Sequence, residues 1–272
     1  MSKRIFIAAT MQNDGKTTVS MGLIFNFKER FKNIGFIKPI GQRYLEEDGQ
    51  KIDEDSILIE DVCRIKCGIK DMSPIAVEKG FTEKYILNPN KESIDTQIQE
   101  SFERVSRDKE FVVIEGTGHA GVGSVFDHSN AAVAKLLGAK VILVSSGGVG
   151  RPIDEIMLNK ALFEKEGVGL LGVIINKVRQ DKFDKIRHLV KDGLKRLGVN
   201  VLGVMPYQQL LSYPTMRQIL EETNFKVFSG NECLDNYIAK IVIGAMEPHN
   251  ALNFMQPSCL LITPGHREDL IM

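Results

Sequence analysis

Gly15, Lys16 and Thr17 stand side by side near the start of the chain, inside the stretch IAATMQNDGKTTVSMGL that runs from Ile7 to Leu23. A glycine lets backbone approach a ligand closely, a lysine ammonium answers phosphate charge, and a threonine hydroxyl can sit on Mg²⁺. In this order they end the phosphate-binding pattern G-x-x-x-x-G-K-[ST], whose first glycine is here Thr10. Such a loop needs a strand before it and a helix start after it, because the helix N-terminus aims its free N–H groups at the anion. Both are expected. Arg4–Ala9 is an apolar run of strand length, and Val19, Leu23 and Phe27 recur at helical spacing within Thr18–Arg30. A plain helix start carrying Gly-Lys-Thr-Thr is the alternative, and the flanking pattern favours the loop. Thr10, Asn13, Gly15, Lys16, Thr17 and Thr18 are therefore the expected contacts of a nucleotide, ATP, with Thr17 also on Mg²⁺.

The elements that must hold this loop are legible as alternation. Short Val- and Ile-rich runs fall at Arg4–Ala9, Ile34–Ile37, Phe111–Ile114, Lys140–Val144, Leu170–Ile175 and Val199–Val204. They are continuous rather than alternating, as in strands buried on both faces. Between them Ile153, Ile156, Met157, Ala161 and Leu162, and again Phe183, Ile186, Leu189, Val190, Leu194 and Leu197, repeat at helical spacing. The expected fold is α/β, a doubly wound and mostly parallel sheet with helices on both faces.

Ligands of such sheets lie beyond the carboxyl ends of the strands. After the second run comes Lys38, after the third Glu115-Gly116-Thr117-Gly118, after the fourth Ser145-Ser146, after the fifth Asn176-Lys177, and after the sixth Met205-Pro206-Tyr207. Polar and charged groups thus gather on one edge. Glu115 at a strand end can hold Mg²⁺ directly or through water. Each of the others has a plainer reading: Asp53 and Asp55 as helix caps, Lys38 as solvated surface, Asn176 as a turn residue. His119 and His128 are second-rank acid–base candidates. Cys63 and Cys67, four apart on an expected helix, suit packing better than metal, since no His or second Cys pair follows nearby.

Composition limits the partners. The 272 residues are 43% hydrophobic and 26% charged, enough for a sizeable core. Lys plus Arg number 35 against 35 Asp plus Glu, so no global field favours nucleic acid or an anionic membrane, and an anion site must be local. The start MSKRIFIAAT is too short and too soon interrupted for a signal peptide or a span, and with four Cys a cytoplasmic protein is expected.

Two segments depart from the alternation. Within 41–90, Asp53–Ile65 reads as helix and Met72–Asn90 as a polar loop region. Near Ile238 the composition changes: IAKIVIGAM reads as a strand, and EPHNALNFMQPSCLLITPGHREDLIM opens a further strand–turn–strand unit. The expected domains are 1–239 and a short C-terminal extension, 240–272. The strand composition of CLLITPG, with no helix after it, predicts pairing with another copy, packing on the first domain or mobility, and a homodimer is the expected assembly.

ATMQNDGKTT, FIKPI, EDS, VVIEGTG, VIINKV and GVMPY occur in the order found in the dethiobiotin synthetase-like P-loop proteins. The chain resembles more closely the nucleotide-binding N-terminal domain of many bacterial phosphotransacetylases, and its tail resembles the start of the DRTGG-type domain that follows there. Thr10 is then the family's own form of the loop. The resemblance implies a P-loop NTPase fold, Lys16 and Thr17 on phosphates and Mg²⁺, Lys38 on the transferring phosphate and Asp55 and Glu115 on Mg²⁺. It further implies Asn176 on adenine, with the backbone around Pro206 beside it.

The substrate half departs from the synthetases. Met11 and Gln12 replace their Asp and Thr, Gly41 and Gln42 follow the Lys-Pro where they carry small residues and a Ser, and GTGHAGVGSVFDHSN is longer than their glycine turn. The expected function is therefore a Mg-ATP-binding P-loop domain, regulatory or weakly hydrolytic, that also answers a small carboxylate or metabolite effector. The alternatives are an ATP-dependent cyclo-ligase acting through a phosphorylated carbamate or carboxylate, and a non-catalytic interaction module. Intact Gly15-Lys16-Thr17, Asp55 and Glu115 argue against the last.

Overall fold

The computed structural model describes residues 2–47, 49–223 and 225–271. Compactness divides it into two units, 1–207 and 208–272. The division expected after residue 239 falls inside the second.

The first unit is built on six parallel strands. They are β1 (Lys3–Ala9), β2 (Ile34–Ile37), β3 (Phe111–Glu115), β4 (Lys140–Ser146), β5 (Leu170–Val178) and β6 (Val201–Pro206), ordered β6-β5-β4-β1-β3-β2. Every pairing within this six-stranded sheet is parallel, as expected of a doubly wound fold. The chain leaves β1 for β2 and β3 on one side, then returns to lay β4, β5 and β6 on the other. Direction therefore reverses at β1, and that reversal opens the crevice in which such sheets bind ligands.

Burial explains why these runs become strands. All five residues of β3 are buried, as are the last five of β1, so neither strand has a wet face on which polar alternation could appear. Helices α1 (Lys16–Lys28), α2 (Glu54–Cys63), α3 (Lys91–Ser106), α4 (Asn130–Leu136), α5 (Gly150–Lys165) and α6 (Phe183–Arg196) accompany the sheet. The core joins Phe6, Ile7, Phe36, Ile114, Leu143 and Ile175 from the strands to Ile24, Ile59, Ile98, Ile156 and Val190 from the helices.

The structure corrects four sequence expectations. Helix α1 begins at Lys16, with Gly15 as its N-cap, rather than at Thr18. The polar loop region of 72–90 contains a helix at Phe81–Leu87, whose Tyr85 is buried. Helix α2 ends at Cys63 because Arg64 turns left-handed at φ 48°, so Cys63 and Cys67 do not share a helical face. The tail is not strand–turn–strand. In the second unit β7 (Lys240–Ile243) and β8 (Cys259–Ile262) are joined through α7 (Pro248–Leu252) and pair in parallel, which requires a crossover rather than a hairpin.

Candidate functional site

The segment between β1 and α1 is held open by two left-handed residues, Asn13 at φ 66° and Gly15 at φ 95°. Only glycine fits at 15 for a second reason, because a Cβ there would lie 2.3 Å from Asn176 Nδ2. Inside the loop, Asp14 acts as its hub. Its Oδ2 accepts from the Met11 N–H at 2.8 Å and the Thr10 hydroxyl at 2.7 Å, and its Oδ1 accepts from the Ser146 hydroxyl at 2.9 Å. The Thr10 hydroxyl also lies 3.0 Å from Ser145 Oγ. Two strand ends, β1 and β4, are thereby tied to the loop.

Along α1, Thr17 and Ser20 lie three apart on one helical face and both reach Glu115 at the end of β3. Thr17 Oγ1 is 3.0 Å from Glu115 Oε1 and 3.0 Å from Asp55 Oδ1, and Ser20 Oγ donates to Glu115 Oε2 at 2.6 Å. The Lys38 ammonium closes the cluster. It lies 2.8 Å from Asp53 Oδ1 and 4.0 Å from Glu115 Oε1, and it pairs with Asp55 Oδ2. Three acids and one ammonium thus meet where β2 and β3 end and α2 begins.

Their electrostatics follow from burial and sign. Burial pushes Lys38 down, but Glu115, Asp53 and Asp55 together outweigh it and raise its pKa above the lysine range. Lys16 shows the reverse outcome. Burial holds its pKa below the usual value despite Glu115, and it makes no ion pair within 4 Å among the described residues. Glu115 has no solvent exposure, and that burial raises its carboxyl above the ordinary Glu value against the pull of Lys38. A buried cation with no partner, beside a carboxylate reluctant to ionise, is an arrangement completed by an incoming anion and cation together.

The cleft over this cluster has a volume of about 280 Å³ and is lined by Asn13, Gly15, Lys16, Thr17, Thr18, Lys38, Asp55, Thr117 and Lys177, among others. Thr10 is buried and spends its hydroxyl on Asp14 and Ser145. Glu115 lies beneath Thr17. Asn176 is buried, with its amide donating to Asp14 O at 2.9 Å. Pro206 ends β6 outside the cleft lining. His119 and His128 do not line it either. His128 is buried against Asp95, 2.9 Å away, and Phe126 O. Asp53 is the N-cap of α2, accepting from the Asp55 N–H at 3.0 Å, so the capping alternative describes it, and the same carboxylate also faces Lys38.

Sequence reading missed Asp14, Ser20 and Asn159 as parts of this site. Ser20 was findable, three residues after Thr17 on the same face. Asn159 was not: its amide links Thr10 O (3.4 Å) to Ala120 N (2.7 Å) from α5, far along the chain.

A parallel sheet that reverses at β1, with a Gly-Lys-Thr loop capping α1 above buried acids, defines a P-loop nucleotide-binding domain. Residues 3–215 match the AAA domain family AAA_26, to which the chain belongs, and residues 218–272 match the DRTGG domain. The chain is 24% identical to the phosphate acetyltransferase of Nitrosomonas europaea over 98% of its own length and 38% of that protein's. It therefore spans well under half of that relative. It is 25% identical to the ATP-dependent dethiobiotin synthetase of Caldicellulosiruptor saccharolyticus, over 90% of this chain and 99% of that one. Among solved structures, the MinD cell division protein of Aquifex aeolicus aligns with a TM-score of 0.47 at 16% identity, over 78% of this chain and 85% of that one. Among the described residues no helix is long and apolar enough to cross a membrane.

Proposed function

We propose that this chain binds Mg-ATP as a regulatory or weakly hydrolytic P-loop domain of the phosphotransacetylase N-terminal kind. The observation that carries the reading is the unpartnered, buried Lys16 ammonium beside the Thr17–Asp55–Glu115 oxygen cluster. Lys16 answers phosphate charge, and Asn13, Gly15 and Thr18 line the phosphate position. Asn176 and the backbone near Pro206 are assigned to adenine.

The donor set fits Mg²⁺. Thr17, Asp55 and Glu115 offer hard oxygens from three elements. Among the described residues no three or more His, Cys, Asp or Glu come together so as to hold a metal ion, so the protein's own donor set is incomplete. Mg²⁺ suits that incompleteness, since it takes one or two carboxylates and fills the rest of its octahedron with water and substrate phosphates. Asp55 and Glu115 would hold the cation, which would answer the charge that Lys38 now answers and leave the Lys38 ammonium to meet the transferring phosphate.

Titration of the full chain with ATP, with and without Mg²⁺, tests this directly. Lys16→Ala is expected to weaken Mg-ATP binding roughly ten- to a hundred-fold, the value of a charge-assisted hydrogen bond of about 1.5–3 kcal/mol. Equal affinity of variant and parent removes the nucleotide reading.

One observation favours a second reading. The alignment to a dethiobiotin synthetase runs over nearly all of that enzyme, as an ATP-dependent cyclo-ligase requires. In that reading Lys38 and Mg²⁺ stabilise phosphoryl transfer to a carbamate or carboxylate, which an amine then attacks. The replacements at Met11, Gln12 and Gln42 weigh against it, and a small carboxylate or metabolite effector is the ligand proposed in place of the synthetase substrate. Homodimer assembly in the cytoplasm belongs to the same proposal. The exposed Ile241, Ile243 and Ile262 of β7 and β8 supply an apolar face for a partner, and sedimentation of the full chain reads it.

A further inference from the structure

The end of β5 grips the phosphate loop through two consecutive carbonyls. Asn176 Nδ2 donates to Asp14 O at 2.9 Å, and the neighbouring Lys177 Nζ donates to Asn13 O at 2.6 Å. Lys177 reaches this position from a left-handed backbone, φ 55°, that non-glycine residues rarely adopt. Its own N–H is held by Asn176 Oδ1 at 2.8 Å. The ammonium is otherwise exposed and makes no ion pair within 4 Å among the described residues, so its one hydrogen bond to protein is to the loop backbone.

The consequence follows from the planar trans peptide. In each such unit the C=O of one residue and the N–H of the next point in opposite directions. Turning Asn13 O and Asp14 O toward β5 therefore turns the N–H groups of Asp14 and Gly15 away from it. Neither N–H has an acceptor among the described residues, and buried or half-buried N–H groups rarely stay unpaired. Convergent free N–H groups form an anion-binding nest.

We propose that Lys177 is a positioning residue for the phosphate loop. Its ammonium, together with the Asn176 amide, fixes the peptide orientation that presents the Asp14 and Gly15 N–H groups to a polyphosphate. This rests on the reading of the cleft as a Mg-ATP site and adds a residue outside the loop that sets the loop's polarity. Asn176 performs its half from a buried position. Lys177 performs the other half from the surface, which lets it be altered without disturbing the core.

The experiment compares the full-length parent, Lys177→Met and Lys177→Arg, titrated with Mg-ATP and with Mg-tripolyphosphate, which has no base. Amide spectra of each unliganded protein are recorded alongside. Lys177→Met is expected to weaken both ligands about ten-fold, the effect of losing a hydrogen bond from a charged donor. It should shift the Asp14 and Gly15 amide resonances and leave the melting temperature unchanged. Lys177→Arg, which keeps a charged donor, should restore affinity to within about three-fold and restore the resonances. Loss of ATP affinity alone would mean that Lys177 touches the base, and loss of both ligands with unmoved resonances would mean that it acts by charge alone; either overturns the proposal, as does undiminished binding. A parent that binds neither ligand sinks the nucleotide reading and this inference with it.

Discussion

Asp53 Oδ1 lies 2.8 Å from Lys38 Nζ while it also accepts the Asp55 N–H at 3.0 Å. The other oxygen of the same carboxylate, Oδ2, is buried without a partner. One side chain thus caps α2 and anchors the ammonium that neutralises the cluster. Lys38→Met leaves Asp53, Asp55 and Glu115 facing one another. The expected loss is about 3 kcal/mol, the lower end for a broken buried pair, because Asp55 keeps 26% of its side chain in water. Urea unfolding of the unliganded chain measures it. A change under about 1 kcal/mol would show that the three acids rearrange freely.

Glu115→Gln is expected to separate metal from nucleotide. The amide keeps the size and can still accept from one of Ser20 and Thr17, which reach different oxygens of the carboxylate, but it offers Mg²⁺ only a neutral oxygen. ATP affinity in the presence of Mg²⁺ should fall at least ten-fold, while affinity measured in a chelator should hold or rise as a negative charge leaves the phosphate side. Parallel loss under both conditions would mean that Glu115 organises the fold of the loop rather than the metal.

Dethiobiotin formation is expected to be absent or slow. Misplacing reactants by about 1 Å can cost on the order of a hundred-fold, and Met11, Gln12 and Gln42 depart from the residues that the resemblance to the synthetases leads one to expect. Incubation with diaminopelargonate, bicarbonate and Mg-ATP, followed by mass spectrometry, decides the matter. Turnover near 1 s⁻¹, the low end for ordinary enzymes, would replace the first functional reading with the second.

Acid stability should depend on Asp95. Burial pushes this carboxyl up, but the hydrogen bonds from Lys91 at 2.5 Å and His128 at 2.9 Å outweigh it and hold the pKa below the ordinary Asp value. A carboxyl depressed in the folded state contributes stability above its unfolded pKa of about 3.9 and loses it as pH falls through the lower folded value. Asp95→Asn should therefore be less stable than the parent near neutrality, with the gap closing below pH 4 or so. Melting curves across that range test it, and a gap that stays constant to low pH would contradict the ion-pair account.

Much of this was legible because local signals agreed. Six continuous apolar runs became six strands of one sheet, and the polar residues after them lie on its carboxyl edge. Glu115 and Lys38 could be found by position alone. What escaped was long-range. Asp14 reads as an ordinary loop residue until Ser146, 132 positions away, is seen to donate to it. Asn159 sits mid-helix with no local peculiarity. Gly41 looked like a substrate-side change, yet a Cβ there would meet Asp53 Oδ2 at 2.4 Å, so packing against the buried acid is sufficient reason for it. The parallel pairing of β7 and β8 was hidden because α7 is only five residues long, too short for periodicity to register.

The central place of β1 has a consequence for the protein as it is made. Its residues pair with Phe111–Glu115 on one side and with Lys140–Val144 on the other, so the loop that follows β1 has no walls until those strands, roughly a hundred residues further on, have been made. The staple from Asn176 and Lys177 arrives later still. At roughly 5–20 residues per second of synthesis, a nascent chain carries a complete Gly-Lys-Thr sequence for many seconds before it can grip a phosphate. Nucleotide therefore cannot template the early folding of this domain; it can only select chains whose sheet has already closed.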